Sequence, residues 1–184
     1  RLKFLKTQQT EAKRCQETVC RFALGNPKTA FTFLSNDRVV CEFPEGQTRF
    51  QRLQALWPQT ITDRLFTVEA ADDKYTLNGY IGHPETAQGR GDRILFFVNQ
   101  RPVQDKMLTS ALRQAFKGRL LHKEYPQAAL FLYLPSREVD INVHPAKLEV
   151  RFRDEKRIFS LLHRGITAAL TRESTRIDNE QVGL

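Results

Sequence analysis

Two alternating apolar runs with a proline-pinned loop between them are the feature that most constrains the fold of this chain. The runs are 138–143 and 148–152, and the loop between them carries His144, Pro145 and Lys147. Pro145 fixes its own φ and pushes His144 toward an extended backbone. Because alternation at a period of two is typical of half-buried strands, the pattern predicts two paired strands that hold the ends of the loop.

Lys147 is the first candidate site residue, because its amine is a compact charge with three donors that suits a phosphate oxygen. On spacing alone, a surface lysine on a turn is the more common explanation. His144 is more often a hydrogen-bonded structural residue than a catalyst, since no second histidine or carboxylate pair accompanies it. We expect His144 and Pro145 to support the loop. Asp140 and Asn142 are predicted to lie on the polar side of the strand and to brace the loop by hydrogen bonds.

Strands and helices mix along the rest of the chain without strict alternation. The predicted helices cover 10–25, 49–56, 106–120 and about 154–170, and the other predicted strands cover 29–35, 38–43, 65–71, 75–82, 94–98 and 128–134. Thr10 is the predicted N-cap of the first helix, whose buried stripe is predicted to be Ala12, Cys15, Val19, Phe22 and Ala23. An α+β fold, with one mixed sheet and helices mainly on one face, is the simplest architecture.

The charge of the chain favours an anionic partner, of which nucleic acid is the commonest. The 184 residues carry a net charge of +8 with a pI of about 9.7. Residues 90–123 hold eight basic and two acidic side chains, a local excess of +6. The three cysteines have no metal-ligand spacing and are predicted to be reduced, structural thiols of an intracellular protein. No apolar run suits a membrane span, no signal peptide is visible, and we expect a fragment of a longer protein.

The predicted helix over 106–120 is the best candidate for contact with nucleic acid. At about 100° per residue, Lys106, Arg113 and Lys117 fall within about 40° of one another, and Arg101 just upstream extends this basic ridge. A row of cations suits phosphate contacts, which position a protein without reading sequence. No aromatic residue interleaves with the ridge, so duplex backbone contact is favoured over base stacking. A solvated amphipathic helix explains the same pattern about equally well.

Three segments carry a resemblance to a known family. The segment VDINVHPAKLEVRF (139–152), together with FVNQRPV (97–103) and the opening RLKFLK (1–6), resembles the second N-terminal domain of MutL-family DNA mismatch-repair proteins. The resemblance runs from residue 1 to roughly residue 170, and it departs from the family at Gln100, where a glycine is usual. It implies the ribosomal-protein-S5 domain 2-like fold with a left-handed βαβ crossover, the opposite of the default hand.

The resemblance also implies a domain plan and a role for each candidate residue. Residues 1–9 would leave an upstream GHKL ATPase domain, 10–170 would form the transducer domain, and 171–184 would begin a flexible linker. As in related ATPases such as gyrase B, Lys147 would reach the γ-phosphate of ATP. The missing domain would supply most of the contacts to ATP and would bind the Mg²⁺. With no phosphate-binding GxxxxGK[ST] motif and no metal site, this chain alone is expected not to be an enzyme.

The family resemblance further implies the partners of the full-length protein. DNA would be bound through its backbone with little sequence specificity, the mismatch sensor MutS would be among the protein partners, and the whole protein would form a homodimer. We expect a cytoplasmic, nucleoid-associated protein without membrane contact. Two alternatives stay open: a stand-alone nucleic-acid-binding module of ribosomal-protein type, and the equivalent domain of a type II topoisomerase or Hsp90-like chaperone. The segment FVNQRPV favours MutL over the latter.

Overall fold

The chain divides into two compact units, Arg1–Gln59 and Thr60–Leu184. The single transducer domain over 10–170 that the resemblance implies stays a prediction. The structure is a computed structural model that describes residues 7–142 and 148–182. The predicted site residues His144, Pro145 and Lys147 lie outside the described residues, as does the opening segment 1–6. In the part that is described, no helix combines the length and the apolar character needed to cross a membrane.

The first unit consists of two helices and a β-hairpin. Its elements are α1 (Gln8–Gly25), β1 (Phe31–Ser35), β2 (Arg38–Phe43) and α2 (Arg49–Leu56). The structure confirms the predicted hairpin and the helix over 49–56. Asn36 and Asp37 have φ values of 51° and 60°, and a tight two-residue turn between antiparallel strands needs positive φ at both positions. Helix α2 begins with reciprocal hydrogen bonds in which Thr48 Oγ1 accepts from Gln51 N at 3.1 Å and Gln51 Oε1 accepts from Thr48 N at 2.8 Å.

Helix α1 differs from its prediction at both its start and its buried face. Thr7, not Thr10, is the N-cap, and its carbonyl accepts a hydrogen bond from Thr10 N at 2.9 Å. The buried residues are Cys20, Ala23, Leu24 and Gly25. Of the predicted stripe only Ala23 is buried, while Cys15 and Phe22 are exposed. The predicted stripe was therefore wrong: the core cluster with Phe43 takes up the face that carries Cys20 and Ala23, and only the C-terminal part of α1 reaches it.

A buried arginine, which the sequence did not single out, joins the parts of the first unit. Arg52 on α2 is fully buried, and its guanidinium donates to the carbonyl oxygens of Ala23, Asn26, Thr29 and Pro44. The last three distances are 2.9, 2.8 and 2.9 Å. These carbonyls lie at the end of α1, in the loop after it and in the turn after β2, so one side chain satisfies backbone acceptors of three separate segments.

The surroundings of this guanidinium compensate for its removal from water. The centre of the Arg52 guanidinium lies 6.0 Å from the ring centroid of Phe31 and 5.6 Å from that of Phe43. The Ala23 carbonyl lies at the negative end of α1, which favours a cation. Burial lowers the pKa of Arg52 below its usual value, but the reference pKa of arginine is high enough for the group to stay charged.

The second unit is built on a five-stranded mixed sheet. Its strands are β3 (Leu65–Asp72), β4 (Tyr75–Gly82), β5 (Ile94–Val98), β6 (Arg101–Val103) and β7 (Ala128–Tyr133), in the order β3-β4-β7-β5-β6. The β5–β7 pair is parallel and the other pairs are antiparallel. The sequence had not predicted β6. Pro102 lies in this strand and is accommodated because β6 is at the edge of the sheet, where the missing N–H costs little.

Two helices cover one face of this sheet, as the sequence predicts for an α+β fold. They are α4 (Lys106–Ala115) and α5 (Glu155–Val182); a short helix, α3 (Gln59–Thr62), lies where the chain divides. Gly165 allows α5 to approach closely, since a Cβ there would lie 2.8 Å from Ala70 Cβ. The parallel strands β5 and β7 are connected through β6 and α4, which is the βαβ crossover of the fold. Its left-handedness stays a prediction.

An ion pair fixes the start of α5 to the β3–β4 hairpin. Asp154 Oδ1 accepts from Arg157 N at 3.1 Å, as predicted for the N-cap. The Arg157 guanidinium donates twice to Asp72, at 2.5 and 2.6 Å, and lies 5.2 Å from the Tyr75 ring centroid. These bonds lower the pKa of the Asp72 carboxyl to about 2. The Tyr75 hydroxyl in turn donates to the buried Glu138 at 3.1 Å.

Helix α5 continues to Val182, through most of the segment 171–184 that the sequence predicts to begin a flexible linker. Ion pairs one turn apart support this extension: Arg176 contacts Glu173 at 2.8 Å and Glu180 at 2.5 Å. Arg119 also donates to the Ser174 hydroxyl at 3.2 Å. The polar composition after Thr171 therefore belongs to a solvent-exposed part of helix α5.

The turn between β5 and β6 holds two residues with positive φ, Asn99 at 47° and Gln100 at 70°. Because glycine adopts this backbone without strain, we expect Gln100→Gly to raise the free energy of unfolding by about 0.5–1 kcal/mol. Denaturant unfolding followed by far-UV circular dichroism would measure it. The matched change Gln114→Gly, inside α4, is expected to lower stability by about 1 kcal/mol. A loss of stability at Gln100 would show that its side-chain contacts outweigh the strain.

Candidate nucleic-acid interface

The basic ridge predicted for 106–120 begins on a well-defined helix. Asp105 caps α4 as predicted, with its Oδ1 accepting from Leu108 N at 2.9 Å. The residues that α4 buries are Leu108, Ala111, Leu112 and Ala115. Lys106 and Arg113 are exposed. The burial of one face therefore fixes the direction in which the cations of the other face project.

Lys117 lies outside the helix, because α4 ends at Ala115 where the sequence predicts a helix to residue 120. Gly118 has φ of 83°, a conformation that ends helices, and Lys117 N donates to Gln114 O in the turn. Lys117 therefore does not share a helix face with Lys106 and Arg113, although the helical period predicted that it would. The turn nevertheless brings Lys117 to the same surface as Lys106 and Arg113.

These three cations line one groove with a volume of about 580 Å³, which we call the α4 groove. Ser110, Gln114 and His122 contribute further polar lining. Glu124 is also in the lining, but its Oε2 accepts from Leu121 N at 2.9 Å. Within 7–142 and 148–182, none of Lys106, Arg113 and Lys117 forms an ion pair. Exposed cations without carboxylate partners are available to external phosphates.

Tyr125 places an aromatic ring beside the groove, which the sequence did not indicate. The centre of the Arg113 guanidinium lies 4.7 Å from the Tyr125 ring centroid, and the ring is half-buried. Stacking of this kind restricts the arginine side chain, and Arg113 stays exposed to solvent. Tyr125 is held by an isolated bridge to Gln88, a long-range pairing that no local pattern reveals.

Arg101 is not brought to the α4 groove. It is exposed at the start of β6, opposite Val98, and it does not belong to the groove lining. The edge strand separates it from α4 because β6 continues through Val103 before the chain reaches the Asp105 cap. Its predicted contact with DNA stays a prediction.

The ends of the lysine loop are held by paired strands, as the alternating runs predict. Strand β8 (Val139–Ile141) pairs antiparallel with β9 (Val150–Phe152), so both strands are shorter than predicted. Asn142 N donates to Glu149 O at 3.2 Å, which adds one backbone bond next to the loop. Asp140 lies opposite Arg151, and both are exposed. Among the residues described, no side-chain hydrogen bond of the Asp140 carboxylate is found, so its predicted bracing role stays a prediction.

The loop is also joined to the start of the basic helix. Gln104 N donates to Leu148 O at 2.8 Å. Leu148 directly follows Lys147 in the sequence, and Gln104 directly precedes Asp105, the N-cap of α4. A cavity of about 830 Å³ lies beside this bond, lined from both sides by residues such as Val103, Lys106, Leu148 and Arg151. This bond therefore connects the end of the β8–β9 hairpin to the backbone that leads into α4.

No group of three or more metal-ligating side chains occurs together in the described part of the chain. The exposed cations of the α4 groove suit the electrostatic binding of phosphates.

Comparisons with known proteins give one family. Residues 53–171 match the family model for the DNA mismatch repair protein, C-terminal domain. The chain is 40% identical over 177 residues to the DNA mismatch repair protein MutL of Agrobacterium fabrum, covering 96% of this chain and 29% of that protein. It therefore spans about three tenths of the length of the curated relatives it matches.

Solved structures with low sequence identity share the fold. The N-terminal domain of a DNA repair protein matches with a TM-score of 0.75 at 18% identity, covering 95% of this chain and 58% of that one. The ATPase domain of the mismatch-repair endonuclease MutL of Aquifex aeolicus matches with a TM-score of 0.60 at 23% identity, covering 89% and 55%. At these identities the likeness extends to the fold alone.

Proposed function

The chain belongs to the DNA mismatch-repair family that includes MutL, and we propose that it is the transducer module of a GHKL-type ATPase working in DNA mismatch repair. The module would bind the DNA backbone and respond to nucleotide held by another part of the protein. The observation that carries this proposal is the α4 groove, where Lys106, Arg113 and Lys117 lie together without carboxylate partners among the described residues.

The groove suits a phosphate backbone better than a particular base sequence. Its cations come from two turns of helix and a following turn, so they offer point charges and a guanidinium to successive phosphates. The Tyr125 ring is occupied by the Arg113 guanidinium, which favours backbone contact over base stacking. DNA contacts of this kind are expected to be strongly salt-dependent and nearly independent of sequence.

The response to nucleotide would come through Lys147. We propose that its amine contacts the γ-phosphate of ATP, whose main pocket and Mg²⁺ would be supplied by another domain of the full-length protein. The pairing of β8 with β9 supports this role, because it holds both ends of the loop. The bond from Gln104 N to Leu148 O supports transmission, because it connects the loop to the start of α4. Loss of the γ-phosphate would thereby alter the surface offered to DNA.

The full-length protein would form a homodimer, contact the mismatch sensor MutS, and work in the cytoplasm on chromosomal DNA. Arg101 would extend the DNA surface from the edge strand. Hydrolysis of ATP would require the other domain, so this chain alone is proposed not to be an enzyme.

Charge reversal in the α4 groove tests the DNA site. We expect Lys106→Glu and Arg113→Glu to weaken binding to duplexes of unrelated sequence by similar factors, and to reduce the slope of log affinity against log salt by about 1 for each lost phosphate contact. Fluorescence anisotropy over a salt series would measure both quantities. Lys156→Glu, at an exposed position on α5, is the matched control. Unchanged affinity and slope, or an equal loss in the control, would make the groove a merely solvated surface.

A further inference from the structure

Two of the three cysteines meet in the core of the first unit. Cys20 lies on α1 and is 7% exposed, while Cys41 lies on β2 and is half-buried. Along β2 the residues 38–40 and Glu42 are exposed, whereas Cys41 and Phe43 face inward. Cys41 packs against the cluster that contains Cys20, Ala23 and Phe43. The alternation of the strand therefore turns the Cys41 side chain toward α1.

We propose that Cys20 and Cys41 are a reversible dithiol that hydrogen peroxide oxidises to an intramolecular disulfide linking α1 to β2. Cys41 packs against the buried cluster that contains Cys20, which brings the two thiols together across the α1–β2 contact. Both are free cysteines in the structure. In a reducing compartment such a pair remains a dithiol and is oxidised only when an oxidant is present.

The two thiols differ in burial, and this difference decides which of them reacts first with peroxide. Burial, together with the neighbouring Cys41, raises the pKa of the Cys20 thiol to about 12, so Cys20 remains protonated at neutral pH. Only a thiolate attacks peroxide efficiently, and Cys41 is the member of the pair that solvent reaches. Cys41 is therefore the first to react, and Cys20 is the resolving thiol.

Oxidation of the two thiols to the disulfide needs hydrogen peroxide as its only other reactant. The Cys41 thiolate attacks one peroxide oxygen, the O–O bond breaks, and the departing hydroxide takes up a proton, which leaves a sulfenic acid and water. The Cys20 sulfur then attacks Sγ of Cys41 as its proton leaves, and the sulfenic hydroxyl departs as water. Two thiols and one peroxide give one disulfide and two waters. The two sulfurs supply the two electrons, and a thiol reductant reverses the process.

Cys15 provides an internal comparison, because it is exposed and lies on the same helix. At 100° per residue, five positions place it about 140° around α1 from Cys20, on a different face. It does not belong to the cluster that holds the pair. Peroxide is expected to leave Cys15 as a thiol, as its own oxide, or as a disulfide between two copies of the chain. The variant Cys15→Ser removes all of these products and leaves the proposed pair intact.

Peptide mapping of the 184-residue Cys15→Ser chain after mild hydrogen peroxide treatment tests the proposal. We expect the intact mass to fall by two hydrogen atoms, a cross-linked peptide joining Cys20 to Cys41, recovery with dithiothreitol, and a higher melting temperature for the oxidised chain. Adding Cys41→Ser, at a half-buried position, is expected to abolish the cross-link while circular dichroism before oxidation stays that of the parent. Two retained thiols, or oxidation of Cys41 only to its sulfinic or sulfonic acid, would overturn the proposal.

Discussion

Replacing Arg52 with Met is expected to lower the free energy of unfolding of the first unit by about 3–5 kcal/mol. The substitution retains an apolar stem of similar length but removes the donors that satisfy four backbone carbonyls. Each buried acceptor left without a partner costs about 1–3 kcal/mol. The carbonyls of Ala23 and Asn26 also accept from the backbone N–H groups of Asn26 and Thr29, so they keep one partner each. The contacts with Phe31 and Phe43 lose their cation but keep part of their packing, which limits the total loss.

Trp57 makes this prediction measurable in the first unit alone. It is the single tryptophan of the chain, it is 7% exposed, and it ends helix α2. Denaturant unfolding followed by tryptophan fluorescence therefore reports the unit that contains Arg52. Arg38→Met, at an exposed position on β2, is the matched control and is expected to change stability by less than about 0.5 kcal/mol. Equal midpoints for the two variants would contradict the role assigned to the buried guanidinium.

Replacing Lys147 with Ala in the full-length protein is expected to reduce ATP turnover by about 10²-fold. A preorganised cation at the γ-phosphate stabilises charge that develops during hydrolysis, and removing one such group typically costs about 10²–10³ in rate. Binding of ATP would change little, because most nucleotide contacts are proposed to come from the other domain. Single-turnover hydrolysis and equilibrium binding of a fluorescent ATP analogue would separate the two effects.

The control for this experiment is Lys156→Ala, which removes an exposed lysine from the first turn of α5. Its turnover is expected to equal that of the unaltered protein. Lys147→Arg keeps the charge but changes its shape, and we expect an intermediate rate. If Lys147→Ala hydrolyses ATP at the normal rate, the amine has no part in the reaction. If its ATP affinity falls as steeply as its turnover, the lysine serves binding and not the transition state.

Local signals predicted much of the fold. Asn36-Asp37 between two alternating runs indicated the first hairpin, because few residue types tolerate the positive φ that such a turn needs. Trp57-Pro58 indicated the end of α2, since the residue before a proline disfavours the helical backbone. Asp105 and Asp154 were recognised as helix caps by residue type and position. Each of these features is decided within a few residues of the chain.

The features that the sequence did not reveal depend on contacts between distant segments. Arg52 looks like any arginine on a short helix, and only the assembled loops supply its carbonyl acceptors. Tyr125 reaches Arg113 through a bridge that joins two irregular segments. The helical period placed Lys117 on the same helix face as Lys106, but α4 ends before Lys117. Lys117 lines the groove only because the turn after α4 brings it there. Periodicity predicts which way a side chain faces only while its element continues.

The measurement that tests the central claim most directly is the effect of nucleotide on DNA affinity in the full-length protein. A non-hydrolysable ATP analogue is expected to change the duplex dissociation constant of the unaltered protein by about 5-fold or more, which is the scale of ordinary allosteric coupling. In Lys147→Ala the analogue should still bind, but the ratio of the two dissociation constants should fall close to 1. A ratio that persists without the lysine amine would contradict the account.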